Sequence, residues 1–332
     1  MKYFSGTAPM MQYADDHDMI QNRSVSYETL RSSFHLLENE PMSRHTSFRV
    51  GGPADLFASP ESVDVLVNLV RTARMLSVPV TVLGGGTNIL VRDRGIRGLV
   101  ISTAGLTETV TILPMDQDRA RVTALAGMPL VSLARFIMDN GYNGFGFAAG
   151  IPGTVGGAVV MNAGTGEGTI SDSLVSLEIL GDRGILEILD RSDLVVCHRS
   201  LAIRGRSLVQ DRFPILVRTV FEVEKGNPEA IREAWDVLLE KRRNTQPRGL
   251  ASAGCFFKNP ESGNPAGQLI DRAGLKGRRV GNAMVSDVHA NFIVNLGGAT
   301  AADILSLKAI VEASVMEQFG VTLVAEVRIE GE

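Results

Sequence analysis

The chain has 332 residues, of which 44% are hydrophobic and 21% are charged, so it is too apolar for a disordered protein. Its 33 basic and 37 acidic residues give a net charge of −4, which argues against a nucleic-acid binder. The length predicts two domains with a large core. Glycine, with 35 residues, is more frequent than usual, and its positions need an explanation.

Targeting and metal signals are weak in this sequence. The two cysteines, Cys197 and Cys255, predict free thiols in a reducing cytoplasm rather than a disulfide framework. Asp15, Asp16 and Asp18 lie where a signal peptide would be apolar. No stretch of about 18 apolar residues lacks both charge and proline, so membrane insertion is not expected. The histidines lack the spacing of metal ligands, and we expect no metal site.

The first half of the chain predicts a mixture of helices and strands. Residues 1 to about 25 are predicted to be a mobile extension, followed by a helix over 26–40 that Pro41 stops. The next helix is predicted to start at Ser59-Pro60-Glu61, because serine caps helices and proline suits the first turn. Strands are predicted at 78–83, 89–91, 99–101 and 120–126, and a helix at 130–140 before Gly141.

The second half changes its rhythm near residue 224, after predicted strands at 174–189 and 215–223. Helices are then predicted at 228–243, at 266–273 and from Thr300 to about Phe319, with a final strand at 321–329. Strands and helices do not alternate strictly, which favours an α+β fold over a doubly wound sheet.

Two segments concentrate the glycines, Leu83–Asn88 and Gly144–Ala158. Glycine permits positive φ angles and close approach of backbone amides, which can form a nest for a diphosphate. The residues after both segments have the pattern of strands, at 89–91 and 158–162, whereas a helix follows the Rossmann fingerprint. Tight turns in a twisted sheet would explain one such segment, and the presence of both favours a binding site.

Several motifs occur in one order along the chain: SFRVGGPA from Ser47, GGGTNILV from Gly84, GIPGTVGGA from Gly150, GCFFKNP from Gly254, AGQLID from Ala266, HANF from His289 and EVRI from Glu326. In this combination the sequence resembles the UDP-N-acetylenolpyruvoylglucosamine reductases, flavoenzymes that form UDP-N-acetylmuramate for bacterial peptidoglycan. The resemblance extends from about residue 42 to the end. The chain has no room for the insert that carries a lid tyrosine, so it resembles the shorter branch of the family, with a more open substrate site.

The resemblance implies an FAD-binding domain of the vanillyl-alcohol-oxidase (PCMH) type plus a smaller α/β substrate-binding domain. On this basis the chain divides into an N-terminal extension (1–41), an FAD-binding domain (42–223), a substrate-binding domain (224–320) and a C-terminal strand (321–332) that returns to the active site. The implied ligands are non-covalent FAD, NADPH as co-substrate and a UDP-sugar. We expect a cytoplasmic monomer or weak homodimer that binds no nucleic acid.

By the same resemblance, NADPH reduces FAD, the flavin passes hydride to the enolpyruvyl double bond, and a protein acid donates the second proton. Cys255 occupies the proton-donor position, where serine is commoner; a thiol is the better acid and is mostly protonated at neutral pH. Arg199 would stabilise the developing negative charge and Glu326 would assist protonation. Two departures from the family are His198 before Arg199, where an aromatic residue is common, and the segment 165–168, which lacks a tyrosine.

Two further sets of candidates follow from the resemblance. The cofactor-binding set is Gly84, Gly85, Gly86, Thr87, Asn88, Gly150, Gly153, Thr154, Gly156, Gly157 and Asn162. The substrate-binding set is Arg242, Lys258, Asn259, Gln268, His289 and Asn291. Ordinary structural roles are the alternatives: a small buried cysteine, a surface arginine, a solvated glutamate on a strand, and an Arg242 that complements a helix dipole.

Two other functions stay open at this point. The chain could be a different FAD-linked oxidase of the same superfamily, or a flavin-binding paralogue without catalysis. Oxidation of NADPH that depends on UDP-N-acetylglucosamine enolpyruvate distinguishes the reductase from both.

Overall fold

The computed structural model describes residues 24–107, 110–181, 183–203, 206–207 and 214–332, so most of the predicted N-terminal extension lies outside the described residues. Its helices are α1 (24–33), α2 (Val63–Met75), α3 (Leu130–Asp139), α4 (Val155–Val160), α5 (Pro228–Thr245), α6 (Ala266–Arg272) and α7 (Ala301–Phe319). The strands before residue 170 are β1 (Leu37–Pro41), β2 (Pro53–Ala58), β3 (Val80–Leu83), β4 (Ile89–Val91), β5 (Ile96–Ser102), β6 (Thr111–Pro114), β7 (Arg119–Leu125), β8 (Gly164–Thr165) and β9 (Gly168–Thr169). The later strands are β10 (Leu174–Leu180), β11 (Leu186–Asp190), β12 (Leu194–Cys197), β13 (Ser200–Ile203), β14 (Arg206–Ser207), β15 (Ile215–Glu224), β16 (Arg279–Val280), β17 (Ala283–Val285), β18 (Ile293–Asn295) and β19 (Arg328–Glu330).

The two largest sheets lie in the first part of the molecule, which also contains the small sheets β12-β13-β14 and β8-β9. One has the strand order β1-β2-β5-β3, and the other, with antiparallel pairs throughout, has the order β11-β10-β15-β7-β6. Apolar side chains from both sheets and from α1 and α2 share one core, among them Leu30, Leu66, Leu99, Leu125 and Ile215. The mixed sheets and helices confirm the predicted α+β class.

The C-terminal part has its own core, built from α6, α7 and the small sheet β16-β17-β18. Phe48, Val50 and Leu90 of the first part pack into this core, so the two parts share a hydrophobic boundary. The last strand, β19, leaves the C-terminal part and pairs in parallel with β4. The chain therefore returns from the C-terminal part to the first part at β19.

Local signals were sufficient for several elements. The predicted strand at 89–91 is β4, and α7 begins after Thr300 and ends before Gly320 as predicted. Thr300 accepts a hydrogen bond from the Asp303 amide at 3.0 Å while the Asp303 carboxylate accepts from the Thr300 amide, which is a capping box. Gly320 ends the helix at φ +67°, a conformation that favours glycine.

Two N-terminal predictions were wrong. The helix predicted over 26–40 ends at residue 33, because Leu37–Pro41 instead pairs antiparallel with β2. The start of α2 is at Val63 rather than near Ser59, since Ser62 is the residue that caps it by accepting from Val65 at 3.3 Å. The Ser59-Pro60 segment packs against Gly105 instead, where an added Cβ would meet Pro60 O at 2.6 Å.

Two predicted strands near the glycine-rich segments and the C-terminus were also wrong. Residues 158–162 were predicted as a strand, but Val155–Val160 is helix α4, capped by Thr154, so only the first glycine segment links two strands. The C-terminal strand covers Arg328–Glu330 rather than 321–329. Backbone hydrogen bonds pass from one segment to another at this point: the Glu326 amide donates to Phe256 O, whereas the Arg328 amide donates to Asn88 O.

Asp93, which follows β4, joins the two parts by capping α7 from outside the helix. Its Oδ1 and Oδ2 accept hydrogen bonds from the amides of Ala301 at 2.7 Å and Ala302 at 2.9 Å. We expect Asp93→Ala to lower the free energy of unfolding by about 1–2 kcal/mol, because both amides lose their acceptor. Chemical denaturation measures this, and Asp93→Asn, which keeps one acceptor, should lose less. An unchanged denaturation midpoint for Asp93→Ala would contradict the capping role.

Candidate active site

A cavity of about 580 Å³ lies between the two glycine-rich segments and the start of the C-terminal part. Its walls include glycine loop 1, defined as Gly84–Asn88, and glycine loop 2, defined as Gly150–Gly157. Arg199, Cys255 and Glu326, far apart in sequence, reach the same cavity. The structure therefore brings together the predicted catalytic residues and most of the predicted cofactor-binding residues.

The glycines of loop 1 are required by close backbone contacts. A Cβ on Gly85 would lie 3.0 Å from Gly153 Cα, so the two loops touch through their backbones. A Cβ on Gly86 would lie 1.9 Å from the carbonyl oxygen of His45, and Gly86 has φ +64°. Larger residues cannot occupy these two positions without displacing the backbone.

The same loop presents unused hydrogen-bond donors. Within the described part of the chain, the backbone amides of Gly85, Gly86 and Thr87 have no acceptor. Gly86 is buried and Thr87 is half-buried, whereas Gly85 is exposed. Buried amides are usually paired, so consecutive free donors beside a cavity suit an anionic or polar ligand. The bare glycine cradle and these donors fit the diphosphate of FAD.

Backbone pairing between two segments places Cys255 beside Glu326. The Glu326 amide donates to Phe256 O at 2.8 Å, and Phe257 forms a β-bridge with Ala325. Asn88 of glycine loop 1 also donates from Nδ2 to Glu326 O at 3.1 Å. These hydrogen bonds hold the Glu326 backbone between glycine loop 1 on one side and the segment that contains Cys255 on the other.

Arg199 lies in the tight turn between β12 and β13. It has φ +57°, which is unusual for a residue with a side chain, and such strain concentrates at functional sites. Its Nη1 donates to Gly164 O at 3.0 Å, and its Nε lies 3.5 Å from Glu326 Oε1. The guanidinium is thus held against the carboxylate on one side and the β8 backbone on the other.

Burial raises the pKa values of Cys255 and Glu326, and neighbouring charges add to or oppose these shifts. Burial, followed by the charge of Glu326, raises the pKa of the Cys255 thiol to about 11, although Arg199 and Arg242 oppose this shift. Burial also raises the pKa of Glu326, against the charges of Arg199, His198 and Lys258. A thiol with such a pKa stays protonated at neutral pH, which is the state that a proton donor needs.

The raised pKa of Cys255 predicts low reactivity toward alkylating reagents, because the thiolate is the nucleophile. At about pH 8 we expect iodoacetamide to modify Cys197, which is exposed, well before Cys255. Modification of Cys255 should accelerate as the pH rises toward 11, since its thiolate fraction grows about tenfold per pH unit below the pKa. Peptide mass spectrometry measures both rates, and equal rates at about pH 8 would contradict the raised pKa of Cys255.

A second cavity of about 350 Å³ lies beyond Cys255, which lines both cavities. Predicted substrate-binding residues Asn259, Gln268, His289 and Asn291 line this second cavity, whereas Arg242 lines the main one. Lys258 and the predicted cofactor residue Asn162 line neither of the two. The predicted substrate set is therefore divided between adjoining spaces that meet at the cysteine.

Some of these polar side chains support the structure of the site. Asn291 is 3% exposed and bonds both the amide and the carbonyl of Phe257, at 2.9 and 2.8 Å. Asn259 Oδ1 accepts from the Ala266 amide at the start of α6, and His289 Nδ1 accepts from the Asn291 amide. Burial lowers the pKa of His289, which favours the neutral ring. Ligand roles for these residues stay predictions.

Comparisons with known proteins match both parts of the chain. The family model "FAD binding domain" matches residues 54–190, and "UDP-N-acetylenolpyruvoylglucosamine reductase, C-terminal domain" matches 246–330. The chain is 46% identical to the UDP-N-acetylenolpyruvoylglucosamine reductase of Desulfosudis oleivorans over 89% of this chain and 94% of the relative. It is 44% identical to that of Pelobacter propionicus over 90% of this chain and 96% of the relative. The chain belongs to the UDP-N-acetylenolpyruvoylglucosamine reductase family.

A solved member of the reductase family has a similar fold. The crystal structure of the enzyme from Thermus caldophilus superposes with a TM-score of 0.74 at 33% identity, covering 90% of this chain and 98% of that one. In this chain, Trp235 of α5 packs into the core of the first part, and the matched C-terminal domain begins after α5. The predicted boundary at residue 224 stays a prediction.

Sequence reasoning missed several residues that line the two cavities. Lys276 lines the second cavity, and its ammonium lies 2.8 Å from Asp271 Oδ2. Arg328 and Thr165 line the main cavity. The EVRI motif contained the signal for Arg328, since it follows Glu326 by two residues, whereas Thr165 lies in the segment where this chain departs from its family. Lys276 follows a helix end and carries no local signal.

No group of three or more histidine, cysteine, aspartate or glutamate side chains among the described residues could hold a metal ion. No helix within the described ranges is long and apolar enough to cross a membrane.

Proposed function

We propose that this protein uses FAD and NADPH to reduce the enolpyruvyl group of UDP-N-acetylglucosamine enolpyruvate, forming UDP-N-acetylmuramate for peptidoglycan. The observation that carries the proposal is the position of Cys255, Arg199 and Glu326 at the end of a cavity whose other walls are the two glycine loops. Membership of the reductase family supplies the substrate and the reaction.

FAD would be held by glycine loops 1 and 2, with the free amides of Gly85, Gly86 and Thr87 facing its diphosphate. When bound, it supplies the hydride that is added to the enolpyruvyl double bond. The remaining chemistry belongs to the protein. Cys255 Sγ holds a proton at neutral pH because its pKa is about 11, and it donates this proton to the substrate carbon.

Arg199 and Glu326 have complementary roles in this proposal. The Arg199 guanidinium is permanently charged and fixed by Gly164 O, so it stabilises negative charge that develops on the substrate carboxylate. Glu326 lies 3.5 Å from that guanidinium, and its charge disfavours the Cys255 thiolate. Glu326 thereby keeps the proton on sulfur until the substrate carbon takes it.

Arg242 is the best-supported member of the predicted substrate-binding set. Among the described residues no carboxylate pairs with it, and its Nη2 donates to Gln246 Oε1 at 3.4 Å. Arg242 is half-buried, and burial lowers its pKa, so the guanidinium is partly removed from water without a protein anion to compensate. A phosphate or carboxylate of a bound ligand would satisfy it. Lys276 and His289, in the second cavity, would then face the remote part of the UDP-sugar.

Finer points of the proposal concern the cell. We propose that the enzyme acts in the cytoplasm, where UDP-sugar precursors are made, and that cell shape and division depend on its product through the wall. Two cysteines without a disulfide between described residues support a reducing compartment. The proposal includes a monomer or weak homodimer as the oligomeric state. It also includes membership of the shorter branch of the family.

The deciding experiment uses purified protein loaded with FAD. Beyond one equivalent per flavin, NADPH oxidation should require UDP-N-acetylglucosamine enolpyruvate, and UDP-N-acetylmuramate should appear in equal amount to the UDP-sugar consumed, by mass spectrometry. Continued oxidation of NADPH without the UDP-sugar would indicate a different flavoenzyme. A folded, FAD-loaded protein that leaves the UDP-sugar unchanged would overturn the proposal.

A further inference from the structure

Glycine loop 1 rests against a segment that does not itself reach the cavity. The Ser47 amide donates to Gly86 O at 2.9 Å, and the carbonyl oxygen of His45 lies where a Gly86 side chain would be. Residues 45–47 therefore form a wall, meaning that their backbone packs against the side of glycine loop 1 that faces away from the cavity. Gly86, which lines the cavity and has an unpaired amide, is thus in backbone contact with residues 45–47 on its other side.

The His45 side chain is held from two directions. Its ring stacks on Phe57 of β2, with ring centroids 4.0 Å apart and an interplanar angle of 25°. Its Nε2 lies 3.0 Å from Oε1 of Glu40 in β1. One contact restrains the ring plane and the other restrains rotation within it, so the His45 backbone has little freedom.

Glu40 is unusual among the acids of this region because it is only 9% exposed. A carboxylate is seldom buried unless it is paired, and its partners here are His45 and the exposed side chain of Arg44, at 3.5 Å. Glu40 lines neither cavity, and the proposed reaction gives it no task. Its contacts point instead to the wall behind Gly86.

We propose that Glu40 and His45 are positioning residues for the flavin site, which hold Gly86 and its neighbouring amides in the geometry that binds the FAD diphosphate. They act through the backbone of residues 45–47 and touch no ligand. The inference rests on the assignment of FAD to this cavity. It assigns a function to β1, which the sequence placed in an extension outside the flavin domain.

The test is FAD affinity of the apoprotein, measured by titration of flavin fluorescence without turnover. Glu40→Ala and His45→Ala should each weaken FAD binding about tenfold or more, because the amides of loop 1 lose their fixed geometry. His45→Gln keeps an N–H near the position of Nε2 and should recover much of the affinity. Glu38→Gln is the matched control: Glu38 lies on the same strand but pairs with Arg31 at 2.6 Å, away from the loop.

Thermal unfolding of each apoprotein separates positioning from stability. If Glu40→Ala and His45→Ala lower the melting temperature but bind FAD as tightly as the wild type, the pair is only structural and the inference is wrong. Equal losses of affinity in Glu38→Gln would overturn it as well. A wild-type protein that binds no FAD would refute the proposed function instead, so the two failures are distinguishable.

Discussion

Cys255→Ala is expected to oxidise NADPH once per flavin and then to stop, with product formation at least a hundredfold slower than in the wild type. General acid catalysis typically contributes about 10²–10⁴ in rate, and alanine removes the proton donor while leaving both glycine loops unchanged. Anaerobic stopped-flow absorbance of the flavin follows the first half-reaction, and mass spectrometry of UDP-N-acetylmuramate follows the second.

Cys255→Ser is the matched control, because serine is similar in size and keeps a dissociable proton on its side chain. We expect it to form product, more slowly than cysteine if the weaker acidity of a hydroxyl limits the step. Normal turnover by Cys255→Ala would remove Cys255 from the mechanism. Failure of Cys255→Ala to accept electrons from NADPH would show that the substitution had disturbed the flavin site instead.

Gly86→Ala is expected to yield a folded but colourless protein, or one that fails to fold. The added Cβ would lie 1.9 Å from His45 O, and alanine also disfavours φ +64°. The combined backbone strain corresponds to roughly 3 kcal/mol or more, a loss of more than a hundredfold in FAD affinity if it is relieved by moving the loop. Flavin absorbance after purification and a titration with added FAD measure the effect.

Gly166→Ala provides the control for this substitution. Gly166 lies in the hairpin beside the same cavity, and an added Cβ there would meet no atom within 4 Å. It should bind FAD like the wild type. Tight FAD binding by Gly86→Ala would mean that the contact between loop 1 and residues 45–47 is easily displaced.

The sequence predicted elements well where their signals were local. Thr300 and Gly320 determine where α7 begins and ends, and each acts within one turn of the helix. The sequence failed to predict elements whose structure depends on contacts with residues far away in the chain. The segment 37–41 has β2 as its partner, and α4 is held by the Val155 and Gly156 amides, which donate to Met128 O and Ala126 O. Val159 and Val160, in the predicted strand at 158–162, favour a strand by propensity, and these contacts override that preference.

The candidate site likewise contains residues that sequence motifs predicted and residues whose role depends on contacts formed only in the fold. Family motifs identified the groups that meet at the cavity, Cys255, Arg199 and Glu326, and the structure brings them together. Motifs alone did not separate ligand-facing side chains from supporting ones. Asn291 has both of its polar ends bonded to the Phe257 backbone, and no pattern in the sequence reveals that pairing. Glu40 carried no signal, because its role depends on a contact that only the fold creates.

The parallel pairing of β19 with β4 has a consequence for the order of synthesis. β4 follows glycine loop 1 and leaves the ribosome early, whereas its partner Arg328–Glu330 is translated near the end of this sequence. Until then β4 lacks the strand that pairs with it in the folded protein, and glycine loop 1 is connected to a strand whose position is not yet fixed. We therefore expect nascent chains to acquire their flavin only after translation has passed residue 330.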